Sequence, residues 1–384
     1  MRRRLPLVAM LAAVPLVAAL ASPAQAVTPH TPVALAAPGQ GVNSQYIVTL
    51  KKGVSVGDTV SKRGITTTHR FGKVLNGFAA KMSAEQLQRL QRTPGVAAIE
   101  QDGVVRASTT QNNPPSWGID RIDQTNRPLS RSYTYTATGS GVTAYIIDTG
   151  IATSHSDFGG RASNVFDSFG GNGQDCNGHG THVAGTVGGN AYGVAKGVSL
   201  RGVRVLNCQG SGSFSGIIAG MNWVANNHTK PAVANMSLGG GYSSSVNSAT
   251  NNLASSGVFV AVAAGNDNRN ACNYSPASAA NGTAVAASTS TDAKASYSNY
   301  GNCVDLYAPG SSITSTWLNG GTNTINGTSM ASPHVAGVGA LYKDANGDAS
   351  YSTIRSWLTS NATSGVITGN PSGTPNLLLN KRSL

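Results

Sequence analysis

Three short motifs place a carboxylate, an imidazole and a hydroxyl in that order along the chain. Asp148 lies in a D-T-G motif, His179 in G-H-G-T-H and Ser329 in G-T-S-M-A. A serine hydroxyl becomes an effective nucleophile when an imidazole accepts its proton, and a buried carboxylate fixes the tautomer of that imidazole. The three residues therefore predict acyl transfer by an activated serine.

Each motif also has a simpler interpretation. A D-T-G motif after an apolar run can be a turn, and His179 and His182 could be a metal pair. The sequence has no H-E-x-x-H motif and no third metal ligand at a suitable spacing. The serine motif lacks the second glycine of the G-x-S-x-G elbow, which argues against an α/β-hydrolase esterase. The combination favours a catalytic triad, with His182 as a structural residue.

The order Asp, His, Ser is that of subtilisin-type triads. At these residues the chain resembles the subtilisin-like serine peptidases, and more closely their proteinase K-like branch, which is secreted as precursors. The resemblance implies a serine endopeptidase that cleaves proteins and peptides broadly after apolar or aromatic residues, with no catalytic metal or organic cofactor. A catalytically silent binding or inhibitory protein of the same fold and a serine esterase are the alternatives.

The elements that must position these residues follow from the apolar pattern. Strands are predicted over residues 142–147, 200–206, 233–238, 258–263, 283–287 and 304–307, and helices over 179–187, 215–226, 246–255 and 330–343. This alternation predicts an α/β, doubly wound, mostly parallel sheet, which the resemblance makes one of the subtilisin type. Ligands bind beyond the carboxyl ends of such strands, where Asp148 lies. We expect one sizeable core and a monomer.

Residues 1–26 have the pattern of a secretory signal. Three arginines at positions 2–4 precede an apolar run over residues 5–21, and small residues lead to Ala26. The run is interrupted by Pro15, and no later segment reaches the roughly 20 apolar residues of a membrane span. We therefore expect a secreted, extracellular protein with no membrane span after signal removal.

Residues 27–108 are predicted to be a propeptide. Their compact part, about 44–106, contains strand-like and helical segments, and it resembles the small α+β inhibitory propeptide of the family. That resemblance makes it a folding assistant and then a transient inhibitor of its own enzyme. We place the maturation cut between Arg106 and Gln111 and the catalytic domain over residues 109–384. A small N-terminal domain kept in the mature protein is the alternative.

The formal charge of +12 does not indicate a nucleic-acid partner. Residues 27–108 hold ten Lys and Arg against four Asp and Glu, whereas residues 109–384 hold fourteen against eleven. The second segment has no run of basic residues interleaved with aromatics. Most of the excess charge therefore belongs to segments that we expect to be removed.

The resemblance assigns further roles around the triad. Asn266, just after a predicted strand, would donate to the oxyanion together with the Ser329 amide. Two stretches match edges that bind extended substrates, and they could otherwise be surface turns: Gly210, Ser211, Gly212 and Ser237, Leu238, Gly239. Ala263 and Gly265 would line an uncharged pocket for the residue before the cut. Phe214 would shape a second apolar pocket.

Calcium is the structural cofactor that the resemblance implies. The ligands of a first site would be Asp120, Asp123, Gln124, Ser130 and Ser132. Those of a second would be Asp305 and the backbone carbonyls near Ala280 and Gly282. The usual proline of the family is absent at Ala280, and the aspartates of the first site could instead be a simple helix start.

Four cysteines are an even number in a chain expected to be secreted, which favours disulfides. Three pairings are possible from the sequence, and a free buried thiol is the alternative. The resemblance implies Cys176 with Cys208 and Cys272 with Cys303. Each bond would close a loop of about 30 residues and contribute roughly 3 to 4 kcal/mol.

Overall fold

The computed structural model describes residues 30–36, 41–103 and 108–384. The predicted signal over residues 1–26 and part of the predicted maturation region lie outside these ranges. The described residues divide at Gly103 into two compact units, each with its own apolar core. Within those ranges no helix has the length and apolar character needed to cross a membrane.

The N-terminal unit is a five-stranded sheet with two short helices. Its elements are β1 Val33–Ala34, β2 Gly41–Leu50, α1 Val56–Ser61, β3 Thr67–Phe71, β4 Gly77–Lys81, α2 Ala84–Gln91 and β5 Val96–Gly103. The strand order is β1-β5-β2-β4-β3, and every pair is antiparallel except β1 with β5. Helix α2 begins at a capping box of Ser83 and Gln86. The small α+β unit is confirmed.

The C-terminal unit contains the remaining elements. They are β6 Thr109–Asn112, α3 Trp117–Arg121, β7 Ser132–Tyr135, β8 Thr143–Asp148, β9 Ala162–Asp167, α4 His179–Gly188, β10 Ser199–Arg204, α5 Phe214–Asn227, β11 Ala232–Met236, β12 Gly240–Gly241, α6 Ser244–Ser255, β13 Val258–Ala263, β14 Tyr274–Ser275, β15 Thr283–Ser288, β16 Leu306–Pro309, β17 Ile313–Thr316, β18 Thr322–Ile325, α7 Thr328–Asn346, α8 Tyr351–Asn361, β19 Thr363–Ser364 and β20 Leu377–Leu378. Three short 3₁₀ turns, Ser156–Phe158, Ala271–Asn273 and Leu318–Gly320, lie between them.

A nine-stranded sheet forms the centre of this unit, in the order β19-β20-β16-β15-β13-β11-β8-β10-β9. Neighbouring strands are parallel except β19 and β20. Strand β13 is apolar at all six positions and fully covered, as expected for a parallel strand with helices on both faces. The predicted α/β, mostly parallel sheet is confirmed. Helix α8 was not predicted, because its sequence is polar and starts at a serine cap rather than at an apolar run.

The order of the strands reverses beside β8, which lies between β10 and β11. From β8 the chain first builds β9 and β10 on one side, and it then crosses to β11 and the later strands on the other. Such a reversal opens a crevice at the carboxyl ends of the two strands. Helix α4 packs against α7, and α7 lies over β11, β13 and β15.

Both disulfides join the cysteines as the resemblance implied. Cys176 is bonded to Cys208, and Cys272 to Cys303, and the described residues include no free cysteine. The first bond connects the turn before α4 to the loop after β10. It therefore links the segment that carries His179 to one of the two predicted substrate edges.

Candidate active site

Asp148 and His179 are held together by the end of a strand and the start of a helix. Asp148 is the last residue of β8 and fully buried, and His179 is the first residue of α4. Nδ1 of His179 lies 2.8 Å from Oδ1 of Asp148, which also accepts the Thr149 N–H. Because a carboxylate accepts, Nδ1 of His179 carries the proton of this hydrogen bond. Nε2 is then the nitrogen that can accept a proton, as a general base must.

Asp175, which was not predicted from the sequence, caps the start of α4 with its carboxylate. Its Oδ1 accepts the Thr149 hydroxyl and two backbone N–H groups of the turn before the helix, each at 2.9 Å. Its Oδ2 accepts the N–H and the hydroxyl of Thr181 at 2.9 and 2.6 Å. These bonds satisfy amides that have no acceptor within the helix. An aspartate four residues before His179 was the available signal.

Two opposing effects act on the imidazole of His179. Burial lowers its pKa, but the charge and hydrogen bond of Asp148, together with the charge of Asp175, raise the pKa above the ordinary value of 6.5. The protonated imidazole is therefore stabilised by the two carboxylates. This is the form that His179 would adopt after accepting a proton from a serine.

Ser329 lies in the first turn of α7. A proline one turn later leaves the Ser329 carbonyl without its usual helical hydrogen bond. Pro333 has no N–H to donate to the Ser329 carbonyl four residues earlier. That carbonyl instead accepts the Ser237 hydroxyl at 2.7 Å. In return the Ser329 hydroxyl donates to the Ser237 carbonyl at 3.1 Å. The first turn of α7 is thereby fastened to the segment after β11.

A buried polar chain supports this contact. Asn235, 1% exposed, donates from Nδ2 to the Ser237 hydroxyl at 2.8 Å and accepts the Ser332 hydroxyl at Oδ1 at 2.7 Å. Ser332 lies on α7, three residues after Ser329. Buried polar groups that satisfy one another fix a single arrangement. The backbone of Ser329 is therefore set by residues of β11 as well as by its own helix.

Asn266 presents its amide nitrogen as a donor. Its Oδ1 accepts both the N–H and the hydroxyl of Thr328 at 2.9 Å. A backbone N–H can only donate, so this contact identifies Oδ1 and leaves Nδ2 as the free end of the side chain. Thr328 is the residue before Ser329. The donor of Asn266 is therefore held in a fixed relation to the serine.

Two adjoining cavities meet at Ser329. The larger, about 530 Å³, is lined by both predicted substrate edges and by His179 and Phe214. The smaller, about 350 Å³, is lined by Ala263, Gly265 and Asn266. The two linings together contain Gly210, Ser211, Gly212, Phe214, Ser237, Leu238, Gly239, Ala263 and Gly265. The structure thus brings every predicted substrate-binding residue to one cleft.

The smaller cavity is not uncharged, contrary to the prediction. Asp267 and Tyr274 also lie on its lining. Asp267 directly follows Asn266, so its presence was visible in the sequence. Tyr274 reaches the site because β14 pairs with β12, a contact that no local pattern reveals. The pocket therefore combines small apolar walls with one carboxylate.

Family models match segments of both units. The family model "Subtilase family" matches residues 139–378. The chain belongs to the subtilase family. A second model, "Peptidase inhibitor I9", matches residues 59–108 and identifies the inhibitory propeptide. The protein is a serine endopeptidase of the subtilisin type.

Relatives of this subtilase span both units. It is 53% identical over 325 residues to the Extracellular serine proteinase of Thermus sp. (strain Rt41A), covering 84% of this chain and 79% of that protein. It is 53% identical over 306 residues to Alkaline serine exoprotease A of Vibrio alginolyticus, covering 78% of this chain and 57% of that relative. The crystal structure of a cold adapted subtilisin-like serine proteinase matches with a TM-score of 0.68 and 51% identity, over 70% of this chain and 98% of that one.

His182 of the subtilase is a structural residue. It is fully buried, and its Nε2 lies 3.0 Å from the carbonyl of Ile313 and 3.1 Å from that of Asn323. Burial lowers the pKa of His182 to about 4. Across the described ranges, no group of three or more His, Cys, Asp or Glu side chains is arranged to hold a metal ion. Nε2 of His182 is used within the protein by two carbonyls, which argues against a metal pair with His179.

The first predicted calcium cluster consists mostly of neutral oxygens around one buried carboxylate. The Ser130 N–H donates to Asp120 Oδ1 at 3.1 Å and to Gln124 Oε1 at 2.8 Å, and the Ser130 hydroxyl lies 2.8 Å from that of Ser132. The Gln124 amide contacts two further carbonyls, of Asn126 and Pro128. Such an oxygen set fits calcium.

Asp123 of this cluster has other partners. Its Oδ2 accepts the Thr134 N–H at 2.7 Å, and its Oδ1 lies 3.4 Å from the Lys381 ammonium. The carboxylate is thus shared with an internal cation. Asp120 and Gln124 are therefore the main candidate ligands for a calcium ion in this cluster.

The second predicted calcium site does not fit the structure. The Arg355 guanidinium contacts Asp305 Oδ1 at 2.7 Å through Nε and at 2.6 Å through a terminal nitrogen, and it reaches the Ala280 carbonyl at 3.4 Å. Asp305 Oδ2 accepts the Ala284 N–H at 2.8 Å. A protein cation therefore occupies the position between the carboxylate and the carbonyl, where a second positive charge would be repelled.

Proposed function

We propose that this subtilase is a secreted, monomeric endopeptidase made as a self-processing precursor, with Asp148, His179 and Ser329 as its catalytic triad. The observation that carries the proposal is the convergence of His179, Ser329 and two backbone edges on one cleft, with Asp148 bonded behind His179. An extracellular location is supported by the name of the Thermus relative and by the predicted signal.

The proposed reaction uses the orientations described above. Rotation of the Ser329 hydroxyl away from the Ser237 carbonyl lets it donate to His179 Nε2 as Oγ attacks the scissile carbonyl. The developing oxyanion accepts from Asn266 Nδ2 and from the Ser329 amide, whose place in the first turn of α7 leaves it without an acceptor in the helix. His179 then gives the proton to the leaving amine. Water repeats the sequence to release the acyl group.

Substrates would bind as an added strand between the two edges. At one of these edges Gly212 packs tightly against the segment after β10, because a Cβ atom there would lie 2.2 Å from the Val205 carbonyl oxygen. The smaller cavity would receive the side chain before the cut. Its small walls favour apolar and aromatic side chains, and Asp267 adds tolerance for lysine or arginine.

The propeptide would leave by a cut just before Thr109. Residues 109–112 form β6, which is paired with β7 of the catalytic unit from Thr109 with Tyr135 to Asn112 with Ser132. Strand pairing protects these bonds, because cleavage requires an extended, free segment. Within the predicted window from Arg106 to Gln111, this favours the bonds before Thr109. The catalytic domain would then span residues 109–384.

Calcium would be a structural cofactor, held by Asp120, Gln124, Ser130 and Ser132, with Asp123 completing the shell. Its positive charge would offset the buried Asp120 carboxylate and tie α3 to the segment before β7. The proposed chemistry at Ser329 needs no metal, since His179 transfers the proton and hydrogen-bond donors stabilise the oxyanion.

One experiment tests the proposal as a whole. The full chain and its Ser329→Ala variant are expressed in a protease-free host, and intact masses are measured before and after a fluorophosphonate. We expect a secreted wild-type chain of residues close to 109–384 that gains one adduct, and a Ser329→Ala precursor that keeps residues 27–108 and gains none. Mature Ser329→Ala would disprove self-processing. An unlabelled wild-type chain that has lost residues 27–108 would disprove the assignment of Ser329 as the nucleophile.

A further inference from the structure

Asn299 is buried beneath the loop that carries Asn266. It is 0% exposed, lies between β15 and β16, and is absent from the lining of both cavities at Ser329. It therefore does not touch the cleft. Its partners are nevertheless the backbone groups on either side of Asn266.

Four hydrogen bonds connect Asn299 to that loop. Its Nδ2 donates to the Ala264 carbonyl at 2.9 Å, and its backbone N–H donates to the Gly265 carbonyl at 2.9 Å. Its Oδ1 accepts the N–H groups of Asp267 at 3.1 Å and Arg269 at 2.9 Å. Asn299 donates the two hydrogen bonds to the carbonyls of the residues before Asn266. Its Oδ1 accepts the two hydrogen bonds from the N–H groups of residues after Asn266. A side-chain amide supplies both, whereas a carboxylate or an apolar side chain of the same size cannot.

The backbone of the loop is shaped to approach this side chain closely. Gly265 has a φ of +104°, a region that other residues rarely adopt. A Cβ atom on Gly265 would lie 2.3 Å from Nδ2 of Asn299, so only glycine permits the contact. The residue immediately before Asn266 is therefore fixed between Asn299 on one side and the Thr328 hydroxyl, 3.0 Å from its N–H, on the other.

Asn266 itself depends on this support. Its side chain is exposed, and its Oδ1 is held by Thr328 alone. An oxyanion donor acts through its position, and a displacement of about 1 Å can cost about a hundredfold in rate. We propose that Asn299 is a positioning residue that sets the Asn266 donor, and with it one wall of the pocket for the residue before the cut. This inference rests on the proposed oxyanion role of Asn266.

A double-mutant cycle tests it. Asn299→Ala, Asn266→Ala and the double variant are compared with wild type by kcat and KM on a peptide substrate and by the affinity of a peptide aldehyde, which forms an oxyanion adduct. Precursors are matured with a trace of tagged wild-type enzyme that is then removed, and Ser329→Ala carried through the same steps gives the background rate. Asn376→Ala is the matched control, because Asn376 also holds a loop, through both backbone groups of Ile367, and neither residue is on the lining of the cleft.

We expect Asn266→Ala to lower kcat by about a hundredfold to a thousandfold, the range known for the corresponding donor of a subtilisin. Asn299→Ala should lower kcat by at least about tenfold and should weaken binding of the peptide aldehyde by a similar factor. In the Asn266→Ala background the same change should cost less than about threefold, since the donor it positions is gone. Asn376→Ala should leave kcat and aldehyde affinity at the wild-type values.

Equal losses in both backgrounds would overturn the inference and leave the role of Asn266 intact. A normal kcat in Asn266→Ala would overturn both. If Asn299→Ala does not fold, Asn299→Asp replaces it, because the carboxylate keeps the volume and both accepted bonds and loses the donor to Ala264. The same coupling is then required of Asn299→Asp, and its absence would reject the inference.

Discussion

Ser237 and Ser329 exchange hydrogen bonds in both directions. The Ser237 hydroxyl donates to the Ser329 carbonyl at 2.7 Å, and the Ser329 hydroxyl donates to the Ser237 carbonyl at 3.1 Å. The first bond exists because Pro333 leaves the Ser329 carbonyl without its helical donor. The proposed nucleophile is thus held by a residue of the predicted substrate edge, and we expect substrate binding and serine position to be coupled.

Ser237→Ala should weaken both stability and catalysis. The change leaves the Ser329 carbonyl without its donor and the Asn235 amide without its acceptor, which should cost about 1–3 kcal/mol of unfolding free energy. We expect kcat to fall by about tenfold, because the first turn of α7 loses its attachment. Denaturant unfolding and steady-state kinetics measure these, with the exposed Ser248→Ala as control. Unchanged values for Ser237→Ala would show that this contact is dispensable.

The pH–rate profile should reflect the carboxylates around His179. Because Asp148 and Asp175 raise its pKa above 6.5, kcat/KM should increase with pH through an apparent pKa above that value. Asp148→Asn should lower kcat by about ten-thousandfold, by analogy with the corresponding change in trypsin, and should move the profile to lower pH. A profile with its midpoint below 6.5 in the wild type would contradict the assignment of His179.

Acid should destabilise the C-terminal unit through two neutral buried histidines. Burial lowers the pKa of His182 and of His334 to about 4, whereas the unfolded chain titrates near 6.5. The unfolded state therefore binds more protons below pH 6.5, and stability should fall between pH 6.5 and 4, by up to about 3 kcal/mol per residue. Denaturant unfolding of Ser329→Ala, first matured with tagged wild-type enzyme that is then removed, measures this slope at several pH values. His334→Gln should flatten it, and an unchanged slope would exclude His334 as a source.

The Asp148–His179 pair has the opposite dependence. Because the pKa of His179 is raised, its contribution to stability is complete below the unfolded value of 6.5 and is lost as the pH rises through the higher folded value. In Ser329→Ala, Asp148→Asn should remove this alkaline decline. A decline of the same size in both variants would have another origin.

Calcium should stabilise the protein through one cluster, because Arg355 fills the other predicted site. Asp120→Ala should abolish the rise in Tm that calcium gives to mature enzyme. Arg355→Ala should lower Tm, since it leaves the 7% exposed Asp305 unpaired, and added calcium should restore part of this loss. Titration calorimetry should show one additional calcium ion in Arg355→Ala. An additional ion in the wild type at this site would contradict the structure.

Asp267 should govern the acceptance of basic side chains before the cut. Asp267→Asn should lower kcat/KM for peptides with lysine before the cut by about tenfold, through loss of an opposite charge. Peptides with phenylalanine there should be cleaved at the wild-type rate, which provides the internal control. Equal effects on both peptides would show that Asp267 acts on the loop rather than on the substrate.

Much of the fold could be predicted because parallel strands and buried helices have strong local patterns. Strands β8, β10, β11, β13, β15 and β16 and helices α4, α5, α6 and α7 coincide with segments predicted from the sequence. Helix α8, the β17–β18 hairpin, α1 and β3 did not stand out, since their residues are polar or half exposed and are ordered by packing.

The sequence by itself determined which three residues are proposed as the triad, the number of cysteines and the alternation of strands and helices, because each is encoded by neighbours in the chain. The tertiary structure alone decided which end of the Asn266 amide is engaged, how Asp175 and Asn299 hold the loops of the site, and that Arg355 occupies the position predicted for calcium at Asp305. These contacts join residues between 6 and 62 positions apart. They depend on which groups meet when the sheet is packed, and buried polar groups must then find partners wherever the fold brings them.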